Sequence, residues 1–365
     1  MHLDWVELRE FRNHRHTRLE AIPDGMVAVV GPNGEGKTNL LEAVYFLYAL
    51  ASPRSASNAG LVRTGAEAAY VRGQVRTQGG NPLVEIEIPR RGASRVQVNR
   101  SAVRRKRDLR REVRAVLFGP FDLPVVIGEP AKRRGFLDDA VVALWPMREP
   151  ELTAYDRVLR QRNRLLKEWG GAGAPPELAA WDEELVKAGS AVIRARADAV
   201  SRLAPPAARE FEHTAGYPLV CTYLPNLWSD ADLEGAFLDR LAERRSDELV
   251  RRTSLVGPHR DDVELAVREL GARAFGSHGE TWAAALCLRL GLATAVQDEI
   301  GEPPLLLVDD PFSALDPDRR EQLGARLAAR EGQVLLSTAD AADVPPAAAA
   351  VWDVRGGTVS PREAA

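Results

Sequence analysis

Gly31-Pro32-Asn33-Gly34-Glu35-Gly36-Lys37-Thr38 fits the phosphate-loop pattern G-x-x-x-x-G-K-S/T. Just before it, Met26–Val30 is an apolar run that is β-branched at its end, and it reads as a buried strand. Just after it, the stretch from about Lys37 to Leu50 carries Leu40, Leu41, Ala43, Val44, Phe46 and Leu47. That spacing predicts a helix that is apolar on much of its surface and therefore buried. Strand, glycine turn and helix in this order give the pattern its meaning. Glycines let backbone N–H groups approach a β-phosphate without Cβ clashes. The helix N-terminus adds positive potential. Lys37 is placed to reach the β- and γ-phosphates of ATP, and Thr38 to hold Mg²⁺. Asn39 is grouped with the loop as a nucleotide-binding residue.

Outward from the loop, the next informative stretch is Leu305-Leu306-Leu307-Val308-Asp309-Asp310. Four apolar residues ending in two acids predict a buried parallel strand with a carboxylate at its C-terminal end, where a Mg²⁺ ligand belongs. Asp309 is the expected ligand, directly or through water. Asp310 is placed to polarise an attacking water. Val334–Ser337 reads as one more buried strand, and Thr338 supplies a polar end.

The rest of the chain sets the frame. Its 365 residues are long for one core and predict two units, or one core with a large insertion. With 45% hydrophobic and 28% charged residues it belongs among folded globular chains. It has no apolar run of about 18 residues and no basic-then-apolar leader, so a cytoplasmic protein without a membrane partner is expected. Two cysteines exclude a disulfide framework and a Cys-based zinc site. Residues 1–10 alternate as a strand, and 70–98 read as hairpins around Gly79–Pro82 and Arg91-Gly92. From about Glu129 to Glu248 the pattern is helical, with breaks at Gly170–Pro176, Pro205-Pro206 and Tyr217-Pro218 and irregular chain near 215–226. Strand patterns return at Val263, Leu265 and Val267, and a helix is predicted from about Thr281 to Asp298. A terminal hairpin turns at Gly356-Gly357. The expected division is 1–128, 129–250 (a helical insertion) and 251–365.

The net charge of −3 means that nucleic acid would have to meet a local patch. Arg100–Arg114 is the strongest candidate. At helical spacing Arg104, Arg107 and Arg111 share one face, with Arg100 and Arg114 near it, and Arg105 joins the candidate DNA-binding set. No aromatic residue interleaves, so contacts to a duplex backbone fit better than base stacking. A solvated, salt-bridged face is the competing reading.

Two further strings carry a resemblance. Asp309-Asp-Pro-Phe-Ser-Ala-Leu-Asp316 resembles the carboxylate strand and following loop of ABC-type ATPases. Gly276-Ser277-His278-Gly279-Glu280, ahead of a long helix, resembles their signature, with His278 as a departure. Ser277 reads as the cap of that helix, with backbone N–H groups facing outward. Within the class the chain resembles the RecF family over about residues 1–360. Leu8–Asn13, Gly36–Ala43, Leu117–Leu123 followed by Lys132–Asp138, and Gly257–Asp262 carry the match. The resemblance implies an α/β fold: an ABC-type ATPase head with mixed sheets around a central helix, plus a mostly helical inserted domain. It implies that Arg12 and Asn13 contact the nucleotide. It implies that Ser277 and Gly279 close over the nucleotide of a second copy, giving an ATP-dependent homodimer. It also implies double-stranded and gapped DNA as ligands, RecO and RecR as partners, and RecA loading in recombinational repair. Replication restart and the SOS response follow from that role. The glutamine loop of the class corresponds to Phe118–Asp122, which has no Gln, and its switch position to Thr338. A hydroxyl there is a poor base, so weak, DNA-stimulated hydrolysis is expected.

Three other readings compete. The head of another SMC-like machine would need a longer, less interrupted helical insertion to form a coiled coil. A transporter subunit would need a glutamine loop and a switch His. A nucleotide-binding module without significant hydrolysis would fit His278 but not the Asp309-Asp310 pair.

Overall fold

The computed structural model describes residues 1–55, 57–171, 173–268 and 270–362. Ala172, inside the predicted break at 170–176, and residues 363–365 of the expected last segment lie outside them.

The N-terminal strand pattern is half of a hairpin. β1 (His2–Phe11) turns through Arg12, which sits at φ 53, into β2 (His14–Leu19). β3 (Met26–Val30) is buried throughout and leads into the phosphate loop and helix α1 (Lys37–Ala49). β4 (Ala68–Arg76), β5 (Leu83–Pro89), β6 (Arg95–Val98) and β7 (Ser101–Ala102) follow as antiparallel neighbours. With the first hairpin they form a sheet of order β2-β1-β4-β5-β6-β7.

Next come α2 (Lys106–Glu112), β8 (Ala115–Phe118), α3 (Leu123–Ile127), α4 (Pro130–Leu144), α5 (Glu149–Glu168) and α6 (Leu178–Ala215). β9 (Leu219–Leu224) and α7 (Leu233–Arg251) precede β10 (Asp262–Val267), β11 (Leu270–Gly271), α8 (Ala272–Phe275) and α9 (His278–Ile300). The chain closes with β12 (Leu305–Asp309), α10 (Pro317–Ala328), β13 (Val334–Thr338), β14 (Ala350–Arg355) and β15 (Thr358–Pro361). The second large sheet has order β15-β14-β3-β13-β12-β8, parallel except for β15.

The two large sheets flank α1. Leu40, Leu41, Val44 and Leu47 share one core with Val71 and Ile86 of the antiparallel sheet and with Val27, Leu307 and Leu335 of the parallel one. This is an α/β head with mixed sheets around a central helix, plus the long helical stretch. That stretch shares a core with the head: Leu137, Ala199, Leu203 and Phe211 pack with α9 and with Phe118, Leu306 and Leu336.

Three local expectations are corrected. Pro205 and Pro206 do not break α6, which runs through them for 38 residues. They remove two backbone donors, but tight packing on α9 carries the helix across. A Cβ at Gly291 would lie 2.6 Å from the Ala207 backbone nitrogen, so only glycine permits this approach. Residues 219–224 are a strand and not irregular, because β9 pairs with β10 over its whole length. Arg100–Arg114 is not one helix. Arg100 lies in the β6–β7 turn at φ 66, Arg104 and Arg105 precede α2, and only Arg107, Arg110 and Arg111 are helical.

Candidate nucleotide site

β3 delivers the phosphate loop to the C-terminal edge of the parallel sheet, where Gly31 N donates to Thr338 O at 3.3 Å. The crest Pro32-Asn33-Gly34 is exposed, whereas Gly36 and Lys37 are buried. Gly36 sits at φ 118, and a Cβ there would meet Asn13 Nδ2 at 2.7 Å. The loop is held from outside by the first hairpin turn. Asn13 Nδ2 donates to Glu35 O at 2.9 Å, and Asn39 Nδ2 donates to Asn13 Oδ1 at 2.8 Å. From the other side Gly357 N donates to Glu35 O at 2.9 Å. Lys37 Nζ donates to Gly31 O at 2.7 Å and Pro32 O at 3.0 Å. Burial draws the Lys37 ammonium below its ordinary value, opposed by the charges of Asp310, Asp309 and Glu35.

Asp309 ends β12 almost wholly buried. Its Oδ1 accepts from Thr38 Oγ1 at 3.0 Å and from Ser337 Oγ at 2.6 Å. Burial raises its carboxyl, with those two hydroxyls pulling the other way. Asp310 sits in the left-handed region at φ 50, and its N–H donates to Ser337 O at 3.1 Å. It is half-buried, and its carboxyl is raised by burial first and by the charge of Asp309 second. The donor set fits Mg²⁺. Two hard oxygens, Thr38 Oγ1 and Asp309 Oδ1, stand together beside a loop shaped for phosphates, which suits an ion held partly by phosphate and water oxygens. Among the described residues no cluster of three His, Cys, Asp or Glu offers an all-protein metal cage.

Ser337 is a site residue the sequence reading passed over. Its signal was present: a serine at the polar end of a fully buried strand between β3 and β12. Thr338, expected at the switch position, is buried and donates to Asp340 O at 3.3 Å. Arg12 turns away from the loop, donating to Glu42 Oε2 at 2.9 Å, to Glu42 Oε1 at 2.8 Å and to Gly60 O at 2.6 Å. Asp122, in the stretch that replaces the glutamine loop, is buried and accepts from Arg289 Nη2 at 2.7 Å.

Ser277 caps α9. Its side chain accepts from Glu280 N at 3.2 Å while Glu280 Oε2 accepts from Ser277 N at 2.8 Å, a reciprocal capping box. The Tyr217 hydroxyl, then the Ser277 N–H, hold the Glu280 carboxyl down to about 2. Ser277 and His278 face solvent. A Cβ at Gly279 would lie 3.4 Å from Ala314 O, so the cap abuts the loop after β12. Among the described residues no hydrogen bond joins residues 276–280 to the phosphate loop.

The Gly257–Asp262 string folds back on its own subunit. His259 Nε2 donates to Ser254 O at 3.0 Å, and its Nδ1 accepts from the Tyr155 hydroxyl at 2.6 Å. Asp261 accepts from Arg196 at 3.1 Å and from Asn226 N at 2.8 Å, and Asp262 pairs with Arg133. Of the basic string, Arg110 donates to Ala49 O at 3.0 Å and pairs with Glu149, and Arg114 is buried. Arg104, Arg105 and Arg111 remain exposed.

With this geometry in place the chain can be set beside known proteins. Residues 2–352 match the RecF/RecN/SMC N terminal domain family. A DNA replication and repair protein RecF from Cutibacterium acnes is 39% identical, covering 98% of both chains. The protein of that name from Streptomyces avermitilis is 40% identical over 98% of this chain and 99% of its own. This chain belongs to the RecF family. A solved RecF, described as the recombination mediator protein with ATPrS in the RecFOR pathway, superposes with a TM-score of 0.89 at 26% identity. It covers 99% of this chain and 98% of that one. The Smc head of Pyrococcus furiosus shares the fold at a TM-score of 0.56 and 14% identity. Identity of 39% and 40% to RecF chains and a TM-score of 0.89, against 14% and 0.56 for the Smc head, distinguish the RecF reading from the head of another SMC-like machine. No helix among the described residues is long and apolar enough to cross a membrane.

Proposed function

We propose that this protein is an ATP-dependent DNA-binding protein of recombinational repair. ATP brings two copies together on duplex or gapped DNA. Acting with RecO and RecR, they promote RecA loading, and slow hydrolysis releases the dimer. The carrying observation is the triad of Lys37, Thr38 and Asp309 at the sheet edge, with Thr38 and Asp309 in contact at 3.0 Å. The solved relatives described with ATP and ATPrS support ATP as the nucleotide. Residues 1–128 and 251–365 act as the head and 129–250 as its helical lobe.

In this reading the loop amides and Lys37 take the phosphates. Lys37 exchanges its bonds to Gly31 O and Pro32 O for phosphate oxygens, which accept a charged donor more strongly. Thr38 and Asp309 hold Mg²⁺, whose chemistry is to neutralise phosphate charge. Ser337 fixes the Asp309 carboxylate. Asp310 orients and polarises the attacking water. Ser277 offers its exposed hydroxyl, and Gly279 its N–H group, to the nucleotide of the second copy. Asn13 and Asn39 act by holding the loop. Arg12 is set one step back, because its donors are taken by Glu42 and Gly60. Arg104, Arg105, Arg107 and Arg111 meet the DNA backbone.

Lys37→Ala tests the site. Loss of a buried, hydrogen-bonded charge should weaken ATP binding at least about thirtyfold, from about 2 kcal/mol. Unchanged ATP affinity in calorimetry would refute the assignment.

A further inference from the structure

Most surface guanidiniums of this chain have a carboxylate beside them. On the outer face of the antiparallel sheet Arg9 meets Glu7 at 2.7 Å, Arg18 meets Glu20 at 2.7 Å and Arg72 meets Glu85 at 3.3 Å. Around α2 the pattern is different. Among the described residues no carboxylate lies within 4.0 Å of Arg104, Arg105, Arg107 or Arg111. The same holds for Arg157, an exposed residue on α5.

These two groups meet. Arg105, Lys106 and Arg107 on one side and Arg157 on the other line a single cleft of about 380 Å³. The acid in its lining, Glu149, is already paired with Arg110 at 2.8 Å. Arg107 Nε is closed off from solvent and has no acceptor among the described residues. A buried donor without a partner is costly, so the Arg107 side chain gains by turning its guanidinium toward an anion in the cleft. No aromatic side chain lines the cleft, so it offers charge without a stacking platform.

The walls are set before any ligand arrives. α2 is held to the C-terminal end of α1, where Lys106 Nζ donates to Leu50 O at 3.1 Å and Arg110 Nε to Ala49 O at 3.0 Å. Leu109 anchors its inner face in the core. Arg110 then spans to Glu149 at the start of α5, which fixes the spacing of the two walls. Arg105 and Arg107 therefore stand on a scaffold that needs little ordering on binding.

We infer that Arg157 joins Arg105 and Arg107 in a cleft that takes backbone phosphates of duplex DNA, one wall from the head and the other from the helical stretch. This rests on the DNA-binding reading above and adds a residue from outside the basic string. Such contacts position a duplex without reading its sequence.

The test is duplex affinity of the full chain with ATP and Mg²⁺, followed by fluorescence anisotropy across a salt series. Arg157→Gln should lower the slope of log K against log salt by about 1. At about 0.1 M salt that is roughly an eightfold weaker complex. Arg157→Lys should restore the slope. Arg209→Gln, an exposed arginine on α6, should leave it unchanged. Equal slopes for Arg157→Gln and Arg209→Gln, with the unmodified protein binding well, would overturn the cleft and leave DNA binding standing. No duplex binding by the unmodified protein at low salt would overturn the DNA-binding reading and the cleft with it. In a parallel titration with pyrophosphate, binding that Arg157→Gln abolishes while duplex binding stays intact would make this a free-anion site, against the proposal.

Discussion

Arg162 and Lys37 are both buried cations, one inside the helical stretch and the other under the phosphate loop. Arg162 has every side satisfied. It donates to Asp182 Oδ1 at 2.9 Å, to Ser254 Oγ at 2.7 Å and to Glu248 Oε2 at 2.6 Å. Glu248 in turn accepts from Leu255 N at 2.7 Å, so α5, α6 and α7 are tied to the chain that follows. Among the described residues Lys37 rests only on two loop carbonyls, and the acids that oppose its charge stand beyond ion-pair distance. The carboxyls of Asp309 and Asp310 are themselves raised by burial. A saturated buried charge is architecture, and its removal exposes an unpaired partner. A buried charge held by neutral groups keeps its field for a ligand. The same residue types thus report scaffold in one place and chemistry in the other.

The sharpest way to break this contrast is Arg162→Ala. It takes the ion-pair partner from the fully buried Glu248 and leaves Asp182 with Arg245 alone, and should cost about 3–5 kcal/mol of unfolding free energy. Urea denaturation would read this directly, and a loss below about 1 kcal/mol would put Arg162 among the dispensable charges.

Asp310→Asn comes next. It should leave ATP binding intact and slow hydrolysis by about a hundredfold. The pH profile sharpens the point. Because the Asp310 carboxyl is raised, hydrolysis should fall off on the acid side at a higher pH than an ordinary aspartate near 3.9 would give. That limb should vanish in Asp310→Asn, and an unchanged limb would transfer the role elsewhere.

The smallest effect concerns His259, held neutral by burial with its value down at about 4. The unfolded chain protonates near 6.5. Between those values the unfolded state binds more protons, so stability should decline as pH is lowered through that window. Urea midpoints for His259→Gln should decline less there, and an identical pH slope would mean that another group carries the dependence.

The phosphate loop, β12 and β13 were legible because each is a short contiguous run whose apolar pattern and terminal residues state its role. The cap at Ser277 was legible for the same reason. What escaped was set by partners distant in sequence. Pro205-Pro206 resembles a break until Gly291 lets α9 close on Ala207. Arg100–Arg114 resembles one basic helix, yet within it Arg110 is claimed by the end of α1. Gly257–Asp262 resembles a functional string, yet its side chains tie α5, α6 and β9 together through Tyr155, Arg196 and Tyr223. Ser337 was readable as a residue but not as the partner of Asp309.

The claim at the centre of this account is that ATP joins two copies through the Ser277 cap. Sedimentation with ATP and Mg²⁺, with and without gapped duplex DNA, tests it most directly, with Ser277→Arg as the comparison. The expected result is a monomer that dimerises only with ATP, tightens on DNA and stays monomeric in Ser277→Arg. ATP binding without any dimer, or a dimer that Ser277→Arg leaves intact, would contradict it.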